Sequence, residues 1–454
     1  MRSPLVFLSF FLLAACADQP EPISEDLRCQ LGTYRMASGA LIDIGVSSAD
    51  HLRWRTLDGR VGRVALADEA GVWTGTAGWT TQPHPARIHL GECSDAQIRV
   101  EGIAGVDGQG ERVAVDAVGT RFQGVGEELA GRLVLPKGKD AVPVVVLVHG
   151  SEDYSALDYS YHQRMLPAQG IGVFVYDKRG TGGSTGEYTQ DFDLLAGDAA
   201  AAHRTALEMA GDRVASSGYF GGSQGGWVAP LAATLSEGDF VIASYGMAEG
   251  PLAEDRDEVQ LRLREAGYGE DVLAKAREVT DITGRLLASD FQDGKEDLVR
   301  VRKAYEDEDW FAHIEGGVSW DMVIRPLWQF RIGYFFLSKD TSWEYEPVPV
   351  LRSIDAPMLW VLAGKDRSAP SAQTRVILTE LQSEGRPIDV AFFPDTDHGI
   401  VEFTEDEQGE RQMTGYAPGY LPLVSDWIRY RRFEAAYEGA EVAPRRGASD
   451  TPSR

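Results

Sequence analysis

Alternation between buried strands and amphipathic helices constrains the fold of this 454-residue chain most strongly. The segments AVPVVVLVHG at 141–150 and GIGVFVYDKRG at 170–180 are continuous apolar runs rich in β-branched residues, typical of strands covered on both faces. A helix pattern follows at 191–211, and RVASSGYFGG and SQGGWVAPLAATLS repeat the strand and the helix. Two more strands are predicted at 356–366 and 387–399. This order predicts βαβ units and a mostly parallel sheet.

The chain before these strands has a different pattern. Residues 28–120 contain short alternating segments broken by turn residues, which predict a small antiparallel β domain. In LRWRTLDGRVGRVAL two alternating runs flank Asp58 and Gly59, a hairpin signal suited to a type I′ turn. Residues 17–27 are polar and contain proline, and they are predicted to be a tether.

An insertion divides the predicted sheet domain into two halves, at 121–247 and 346–435. Residues 248–345 lack the strand pattern and contain helices with apolar faces and charged outer faces, so they predict a helical cap. Its second half is rich in aromatic side chains, which either form the core of the cap or line an apolar acyl or aryl pocket. These aromatic residues are Trp310, Phe311, Trp320, Trp328, Phe330, Tyr334, Phe335, Phe336 and Trp343. Residues 436–454 are predicted to be a disordered tail.

The N-terminal residues 1–16 predict a signal peptide. One arginine is followed by an apolar run from Leu5 to Ala15, which is too short for a typical membrane-spanning helix. The sequence LAAC, which ends at Cys16, resembles a bacterial lipobox. This resemblance implies lipidation of Cys16 and a lipid anchor in the bacterial cell envelope, with the body of the protein in the periplasm. The alternative is an ordinary cleaved signal that happens to carry a cysteine.

Charge and residue chemistry exclude some classes of partner. The chain has 70 acidic and 44 basic residues and a formal net charge of -26, so phosphate would be repelled and no nucleic-acid partner is expected. No motif suggests a cofactor, and the histidines of the β domain lack metal-ligand spacing, so no metal is predicted.

Two cysteines remain if Cys16 is lipidated, Cys29 and Cys93. Export to an oxidising compartment would permit a disulfide between them. The sequence does not decide whether this disulfide forms, because no pattern shows that the two residues meet. The alternative is two separate small buried cysteines.

Two pentapeptides have the pattern Gly-x-Ser-x-Gly, around Ser184 and Ser223. A nucleophilic serine in this pattern lies on a strained turn between a strand and a helix, and it needs small neighbours on both sides. Ser223 meets these conditions, since GYF ends a strand and QGGWVAPLAA begins a helix, with Gly221 and Gly225 at the turn. Ser184 does not, because its strand ends near Asp177 and no helix begins at once. Its segment predicts a glycine-rich loop at the edge of the site.

A serine hydroxyl needs a base, and the base needs an orienting carboxylate. His398 in PDTDHG follows the last clear apolar strand, where such a base is expected. Asp366 in AGKDRSAP follows a strand end and precedes the histidine, so it is the predicted acid. Asp395 and Asp397 are rivals on the histidine's own loop, although adjacency makes the approach of Asp397 to the Nδ1 atom awkward. The order Ser223, Asp366, His398 is that of α/β-hydrolases.

Five motifs together resemble the α/β-hydrolase superfamily, in particular bacterial hydrolases of the prolyl-oligopeptidase-like and dienelactone-hydrolase-like type. They are VVVLVHGS, VYDKRGTGGSTG, GGSQGGWVAP, AGKDRSAP and DTDHG, in the superfamily's order over about residues 121–435. The resemblance implies an α/β-hydrolase fold and an oxyanion hole made by the backbone N–H groups of Ser151 and Gln224. Gln224 also follows the serine at a helix N-terminus, where free N–H groups point at developing charge.

Glu152 departs from the superfamily's pattern, since relatives commonly have His-Gly-Ser-Gly after that strand. A carboxylate beside the oxyanion loop would disfavour an oxyanion unless it faces solvent. It could instead bind a substrate amine, so the substrate class stays open at this point.

These features predict a membrane-anchored serine hydrolase with a small-molecule acyl substrate. The favoured reaction is cleavage of carboxylic esters through an acyl-enzyme. The enzymatic alternatives are a serine peptidase or aminopeptidase of the prolyl-oligopeptidase type and a thioesterase. The non-enzymatic alternative is a non-catalytic binding protein on a hydrolase scaffold.

Overall fold

The computed structural model describes most of the chain. The described residues are 25–68, 71–314, 317–326, 328, 340–407 and 409–445. The predicted signal peptide, Cys16 and most of the predicted tether lie outside them, as do Phe330, Tyr334, Phe335 and Phe336 of the cap.

Eight antiparallel strands form a closed barrel in the N-terminal part of the described chain. The strands are β1 (Gly32–Met36), β2 (Leu41–Ser48), β3 (His51–Thr56), β4 (Val61–Leu66), β5 (Val72–Ala77), β6 (Pro83–Leu90), β7 (Gln97–Glu101) and β8 (Gly108–Arg112). Each strand pairs with the next, and β1 also pairs with β8. Buried side chains such as Tyr34, Ile44 and Trp54 fill the interior, so the barrel is a packed core. The predicted antiparallel β domain is therefore confirmed as a barrel.

The predicted hairpin between β3 and β4 forms, but the expectation of a type I′ turn is wrong. The N–H of Thr56 donates to the carbonyl of Arg60 at 3.0 Å, which leaves a three-residue loop. Gly59 has a φ of 84°, whereas Asp58 does not have a positive φ, and a type I′ turn requires positive φ at both central residues. A Cβ on Gly59 would also lie 2.1 Å from the carbonyl oxygen of Tyr416, so this position requires glycine.

A nine-stranded mixed sheet forms the body of the molecule. Its strands are β9 (Val115–Gln123), β10 (Glu128–Pro136), β11 (Val142–Val148), β12 (Gly172–Tyr176), β13 (Val214–Gly222), β14 (Phe240–Ser244), β15 (Met358–Ala363), β16 (Ile388–Phe393) and β19 (Glu441–Ala443), in the order β19-β16-β15-β14-β13-β11-β12-β10-β9. The six strands from β16 to β12 in that order are parallel, and the edge strands are antiparallel. The expected boundary after residue 120 falls inside β9, which pairs with β10 and not with the barrel.

Helices cover both faces of the sheet, as parallel strands buried on two sides require. The helices are α1 (Glu25–Arg28), α2 (Ala156–Tyr159), α3 (His162–Met165), α4 (Phe192–Ala210), α5 (Gly225–Leu235), α6 (Pro251–Glu265), α7 (Glu270–Ala288), α8 (Lys295–Tyr305), α9 (Gly317–Ile324), α10 (Pro347–Ser353), α11 (Ser371–Ser383) and α12 (Tyr420–Tyr430). Helices α4 and α5 pack on one face through small residues such as Ala199 and Ala229, and α12 packs on the other face through Trp427. Among the described residues, no helix is long and apolar enough to cross a membrane.

The cap predicted between the two halves of the sheet domain is helical in its described part, where α6 to α9 share a separate apolar core. Trp310 and Phe311 are buried in that core, and Trp343 packs against it. Trp328 is exposed. The aromatic residues whose surroundings are described thus mainly form the core of the cap.

The barrel docks against the sheet domain through a buried ion pair. Arg164 of α3 donates from Nε and Nη2 to the two carboxylate oxygens of Asp43 on β2, at 2.7 and 2.9 Å. Asp43 is completely buried. The hairpin of β17 (Val401–Glu405) and β18 (Arg411–Tyr416) adds backbone contacts, since the N–H of Trp79 donates to the carbonyl of Met413 at 2.9 Å. One wall of the sheet domain is therefore covered by the barrel.

The expectation that residues 436–454 form a disordered tail is wrong for the part that the structure describes. Strand β19 forms the edge of the sheet and pairs with β16, and Tyr437 is buried. Arg445 donates from Nη1 to the buried carboxylate of Asp389 at 2.5 Å. These contacts outweigh the polar, proline-containing composition on which the expectation rested, and residues 446–454 lie outside the described range.

Cys29 and Cys93 are joined by a disulfide, with their Cα atoms 5.6 Å apart and a sequence separation of 64 positions. The bridge connects the segment before β1 to the loop between β6 and β7. The barrel brings these two segments together, which answers the question that the sequence leaves open.

Candidate active site

Ser223 lies on the turn between β13 and α5, where the sequence predicts a nucleophile. Its φ is 54°, a left-handed conformation that a residue with a side chain rarely adopts. The turn is held from both sides, since the N–H of Ser223 donates to the carbonyl of Ser244 and that of Gly226 donates to the carbonyl of Ser223, at 3.0 and 2.7 Å. This strained, well-anchored turn presents the hydroxyl at the carboxyl end of the parallel strands.

The two glycines at the turn are required by close backbone contacts. A Cβ on Gly221 would lie 1.9 Å from the carbonyl oxygen of Gly225. A Cβ on Gly225 would lie 2.5 Å from the carbonyl oxygen of Val148 and 2.8 Å from that of His149. Strand β13, helix α5 and the loop after β11 can therefore meet only if these positions lack side chains.

The structure brings the three predicted triad residues together in one line of hydrogen bonds. The Nδ1 atom of His398 lies 2.9 and 3.2 Å from the two carboxylate oxygens of Asp366. Because a carboxylate only accepts, Nδ1 carries the proton, and the Nε2 atom accepts from the Ser223 hydroxyl at 3.0 Å. This is the arrangement in which an imidazole can take a proton from serine.

Asp366 is fixed by its own backbone contacts and is 2% exposed. Its Oδ1 atom accepts from the N–H groups of Ser368 and Ala369 at 3.0 and 2.7 Å. Burial lowers the pKa of His398, but the charge of Asp366 and its hydrogen bond, together with the charges of Glu254 and Asp397, raise it more, so the net pKa is above the ordinary value for histidine. The Asp366 carboxylate thus favours the protonated form of the imidazole.

Neither of the rival carboxylates pairs with the histidine ring. Asp397 accepts from Arg411 at 2.7 Å and from the N–H groups of Arg367 and His398 at 3.1 and 2.8 Å. It therefore holds the backbone of the loop rather than the Nδ1 atom. Asp395 is exposed, and no hydrogen bond links it to His398.

The predicted oxyanion donors lie in the two segments that meet at the serine. Ser151 follows the loop after β11 that touches Gly225, and Gln224 directly precedes α5. Within the part of the chain that the structure describes, neither backbone N–H donates to a protein acceptor. The Gln224 side chain is turned toward Gln190, to which its amide donates at 3.2 Å. Both N–H groups are thus free for an oxyanion, although their role stays a prediction.

Ser184 lies apart from this group. Its hydroxyl donates to the carbonyl of Asp177 at 2.6 Å and accepts from the N–H of Ala130 at 3.0 Å. These contacts tie the glycine-rich loop to the edge of the sheet and give the hydroxyl no base. His149 also has another role, since burial lowers its pKa and its ring contacts the carbonyl of Tyr176.

Glu152, which departs from the superfamily's pattern, is exposed and lies beside Gly150. The buried ammonium of Lys178 donates to the carbonyl of Gly150 at 2.9 Å. Burial lowers the pKa of Lys178 to about 8, while the charges of Glu152 and Asp153 raise it. A positive charge from the segment after β12 therefore lies against this loop and offsets the carboxylate that would otherwise oppose an oxyanion.

Two residues near the triad were not predicted from the sequence. The ring of Tyr245, directly after β14, lies edge-on to the ring of His398 at 5.1 Å between centroids. Glu254 on α6 is half-buried in the cap near the triad, and its removal from water raises its pKa to about 8, while the charge of His398 lowers it. The position of Tyr245 after a parallel strand was a usable signal, whereas nothing in the helix pattern distinguishes Glu254 from its acidic neighbours.

Comparison with known proteins gives one family and several distant structures. The model of the alpha/beta hydrolase family matches residues 145–410. No curated protein sequence matches the chain. In the described part of the chain, no three histidine, cysteine or acidic side chains form a group that could hold a metal.

The similar solved structures include an esterase from Pyrococcus furiosus, with 13% identity, a TM-score of 0.40 and coverage of 63% of this chain and 86% of the esterase. An acylaminoacyl peptidase from Pyrococcus horikoshii has 13% identity and a TM-score of 0.44, and the match covers 87% of this chain and 57% of the peptidase. A puromycin-hydrolysing peptidase from Mycobacterium tuberculosis has 16% identity and a TM-score of 0.41, with 82% and 50% covered. Likenesses this distant do not bear on the activity.

Proposed function

Because the chain belongs to the alpha/beta hydrolase family, we propose that it is a serine hydrolase that cleaves carboxylic esters through an acyl-enzyme. The observation that carries the proposal is the continuous set of hydrogen bonds from Asp366 through His398 to Ser223. The strained backbone of Ser223 supports it, since strain at a non-glycine residue is kept where it serves a site.

The proposed reaction has two halves. The Ser223 oxygen attacks the ester carbonyl while the Nε2 atom of His398 takes the hydroxyl proton, and the N–H groups of Ser151 and Gln224 donate to the carbonyl oxygen as it becomes negative. The tetrahedral intermediate expels the alcohol, which receives the proton from His398. Water then attacks the acyl-enzyme with the same histidine as base, and the acid is released as Ser223 regains its proton.

An ester is the proposed substrate because its alcohol leaves more readily than the amine of a peptide. A peptidase or aminopeptidase and a thioesterase use the same three groups, so they are the alternatives within enzymes. A non-catalytic binding protein would retain the scaffold without turnover.

The proposal is tested with p-nitrophenyl acyl esters of varied chain length beside aminoacyl-nitroanilides, together with labelling by a fluorophosphonate probe. We expect ester turnover and labelling in the wild type and neither in Ser223→Ala. Ser184→Ala is the matched control, since its hydroxyl has no base, and it should keep its labelling. Turnover of the anilides but not the esters would assign a peptidase, and labelling that persists in Ser223→Ala would remove Ser223 as the nucleophile.

We also propose that the protein is a lipoprotein of the bacterial cell envelope, anchored through Cys16 with its catalytic body in the periplasm. The sequence LAAC supports this proposal. A disulfide between Cys29 and Cys93 is compatible with an oxidising compartment.

A further inference from the structure

A cavity of about 600 Å³ lies between the barrel and the sheet domain. The barrel contributes Arg53, Arg55 and Trp79 to its wall, and the sheet domain contributes residues of α2, α3 and the segments next to them. This volume is within the range of sites that hold a small organic molecule. The cavity exists only because the barrel covers that wall of the sheet domain.

The cavity reaches residues next to those of the proposed site. Gly222, which lines it, directly precedes Ser223, and Gly150, which also lines it, directly precedes Ser151. Tyr245 forms part of the same wall and contacts the ring of His398. A substrate whose carbonyl lies at Ser223 can therefore extend a side group into this cavity.

The barrel side of the cavity has an excess of positive charge. Arg53 is 7% exposed and donates only to neutral oxygens, from Nη1 to the carbonyl of Gly78 at 2.9 Å and from Nη2 to the hydroxyl of Ser47 at 3.3 Å. Among the described residues, no carboxylate forms an ion pair with Arg53. A buried guanidinium without an acidic partner is costly. The guanidinium of Arg53 lies 4.7 Å from the centre of the Trp79 ring, which offsets part of this cost, and a negative ligand would offset more.

Arg55 has an incomplete set of partners on the same wall. It is 6% exposed, and its Nη1 atom lies 3.4 Å from Asp43, a carboxylate that Arg164 already holds at 2.7 and 2.9 Å. Its Nε atom is buried without a hydrogen-bond partner, and so is the Nε2 atom of His162, which also lines the cavity. One carboxylate thus serves two arginines, and polar atoms on the cavity wall remain unpaired.

The rest of the wall suits an organic acid with an apolar or aryl body. Tyr154, Tyr161 and Tyr416 line the cavity together with Trp79. Glu152 lies on the side of the oxyanion loop, where Lys178 offsets its charge. The negative end of a ligand is therefore directed to the arginines of the barrel.

We infer that this cavity binds a carboxylate on the substrate, so that the preferred substrates are esters whose acyl or alcohol part carries an acid group held by Arg53 and Arg55. The inference rests on the proposed ester hydrolysis and adds its substrate class. The barrel then acts as the specificity module of the enzyme, since it supplies both arginines.

Two pairs of esters test the inference, each comparing a free carboxylate with its methyl ester. Mono-p-nitrophenyl adipate against its methyl ester places the charge on the acyl side, and 4-acetoxybenzoate against its methyl ester places it on the alcohol side. The measured quantity is the ratio of kcat/KM for the charged and the neutral member, in the wild type and in Arg53→Gln. We expect this ratio to fall by about tenfold to a hundredfold in Arg53→Gln for at least one pair, mainly through KM.

Arg63→Gln is the matched control. Arg63 lies opposite Arg53 in the pairing of β3 with β4, but it is exposed and does not line the cavity. The same loss of one positive charge at this position should leave the ratio within about twofold. An equal change of the ratio in Arg53→Gln and Arg63→Gln would show that the effect comes from the loss of any positive charge on the barrel, and it would overturn the inference.

The outcomes for the two proposals are distinguishable. If the neutral esters are cleaved through Ser223 and neither pair shows a preference that depends on Arg53, the inference fails and the proposed function stands. If no ester is cleaved, the proposed function itself fails.

If Arg53→Gln fails to fold, loss of activity on the neutral esters would reveal this. In that case, inhibition of the wild type tests whether the cavity binds a carboxylate. Adipate but not adipamide should then inhibit hydrolysis of a neutral ester competitively, and equal inhibition or none by both would overturn the inference.

Discussion

Asp366 acts on Ser223 only through the imidazole between them. Its carboxylate keeps the proton of His398 on Nδ1 and raises the histidine's pKa. In Asp366→Asn we expect kcat to fall by up to about ten-thousandfold, by analogy with other triads, because the amide can favour the wrong tautomer. We also expect the acid limb of the pH profile of kcat/KM to move to lower pH, because a charge that raises the pKa of the base is lost. Ester kinetics and a thermal melt measure both effects.

Asp397→Asn is the control for this prediction, since Asp397 is bound to Arg411 and to backbone N–H groups of the loop. It should cost much less activity than Asp366→Asn. Full activity in Asp366→Asn together with a large loss in Asp397→Asn would move the acid role to the neighbouring carboxylate.

Glu254 is a second carboxyl group whose charge acts on the base. Burial raises its own pKa to about 8, so the group is mostly neutral below that pH, and its negative charge raises the pKa of His398 once it ionises. We expect kcat/KM of the wild type to show an ionisation near pH 8 that is absent in Glu254→Gln, because the amide cannot ionise. The measurement is the pH profile with a neutral p-nitrophenyl ester.

Glu258→Gln is the matched variant, one turn further along α6. Its carboxylate pairs with Arg262 at 3.6 Å and is not among the groups that shift the pKa of His398. The ionisation near pH 8 should remain in this variant. Its loss in both variants would show that general cap charge, and not the position of Glu254, affects the base.

Among the elements, the short strand β19 depends on one ion pair at its end. Asp389 on β16 is buried, and Arg445 donates to it from the backbone N–H at 2.6 Å and from Nη1 at 2.5 Å, while the indole of Trp427 donates at 2.8 Å. Arg445→Ala leaves the buried carboxylate without its positive partner. We expect the free energy of unfolding to fall by about 1–3 kcal/mol, measured by denaturant unfolding.

An arginine just before β16 provides the comparison. Arg386 pairs with Asp355 at 3.1 Å, but that aspartate is 92% exposed, so Arg386→Ala should change the free energy of unfolding by less than about 1 kcal/mol. If Arg445→Ala were as mild as Arg386→Ala, the C-terminal segment would contribute little to the fold.

For the molecule as a whole, the predicted lipid anchor places the enzyme at a membrane surface. Multiple acyl chains on Cys16 would hold the protein stably, since each buried CH₂ contributes about 0.8 kcal/mol. Cys16→Ser should release the protein from the membrane fraction or block its processing, as judged by fractionation and by the mass of the mature chain. A variant that is processed normally and stays membrane-bound would exclude lipidation as the cause of anchoring.

Much of the fold and of the candidate site follows from local patterns along the chain. Apolar β-branched runs show where the central strands lie, because each is buried on both faces, and the glycines around Ser223 identify the strained turn. The order of Ser223, Asp366 and His398 along the chain further limits which residues can form the triad. The turn at Asp58 was predicted incorrectly, since the three-residue loop depends on the contact of Gly59 with Tyr416.

Contacts between distant segments had to come from the tertiary structure. Proximity to the Nδ1 atom of His398 selects Asp366 over Asp395 and Asp397, and barrel closure pairs Cys29 with Cys93. The polar composition of residues 436–454 gave no indication that β19 pairs with β16.

The sequence by itself determined the strands, the nucleophile turn and the candidate triad, because hydrophobic periodicity and glycine conformation are local properties. Only the tertiary structure decided that Arg53 of the barrel lines the same cavity as Gly222, although the two residues lie 169 positions apart in the chain. That contact arises from the docking of two separately patterned domains. No pattern within either domain specifies how they meet, because the buried pair of Asp43 and Arg164 joins residues 121 positions apart.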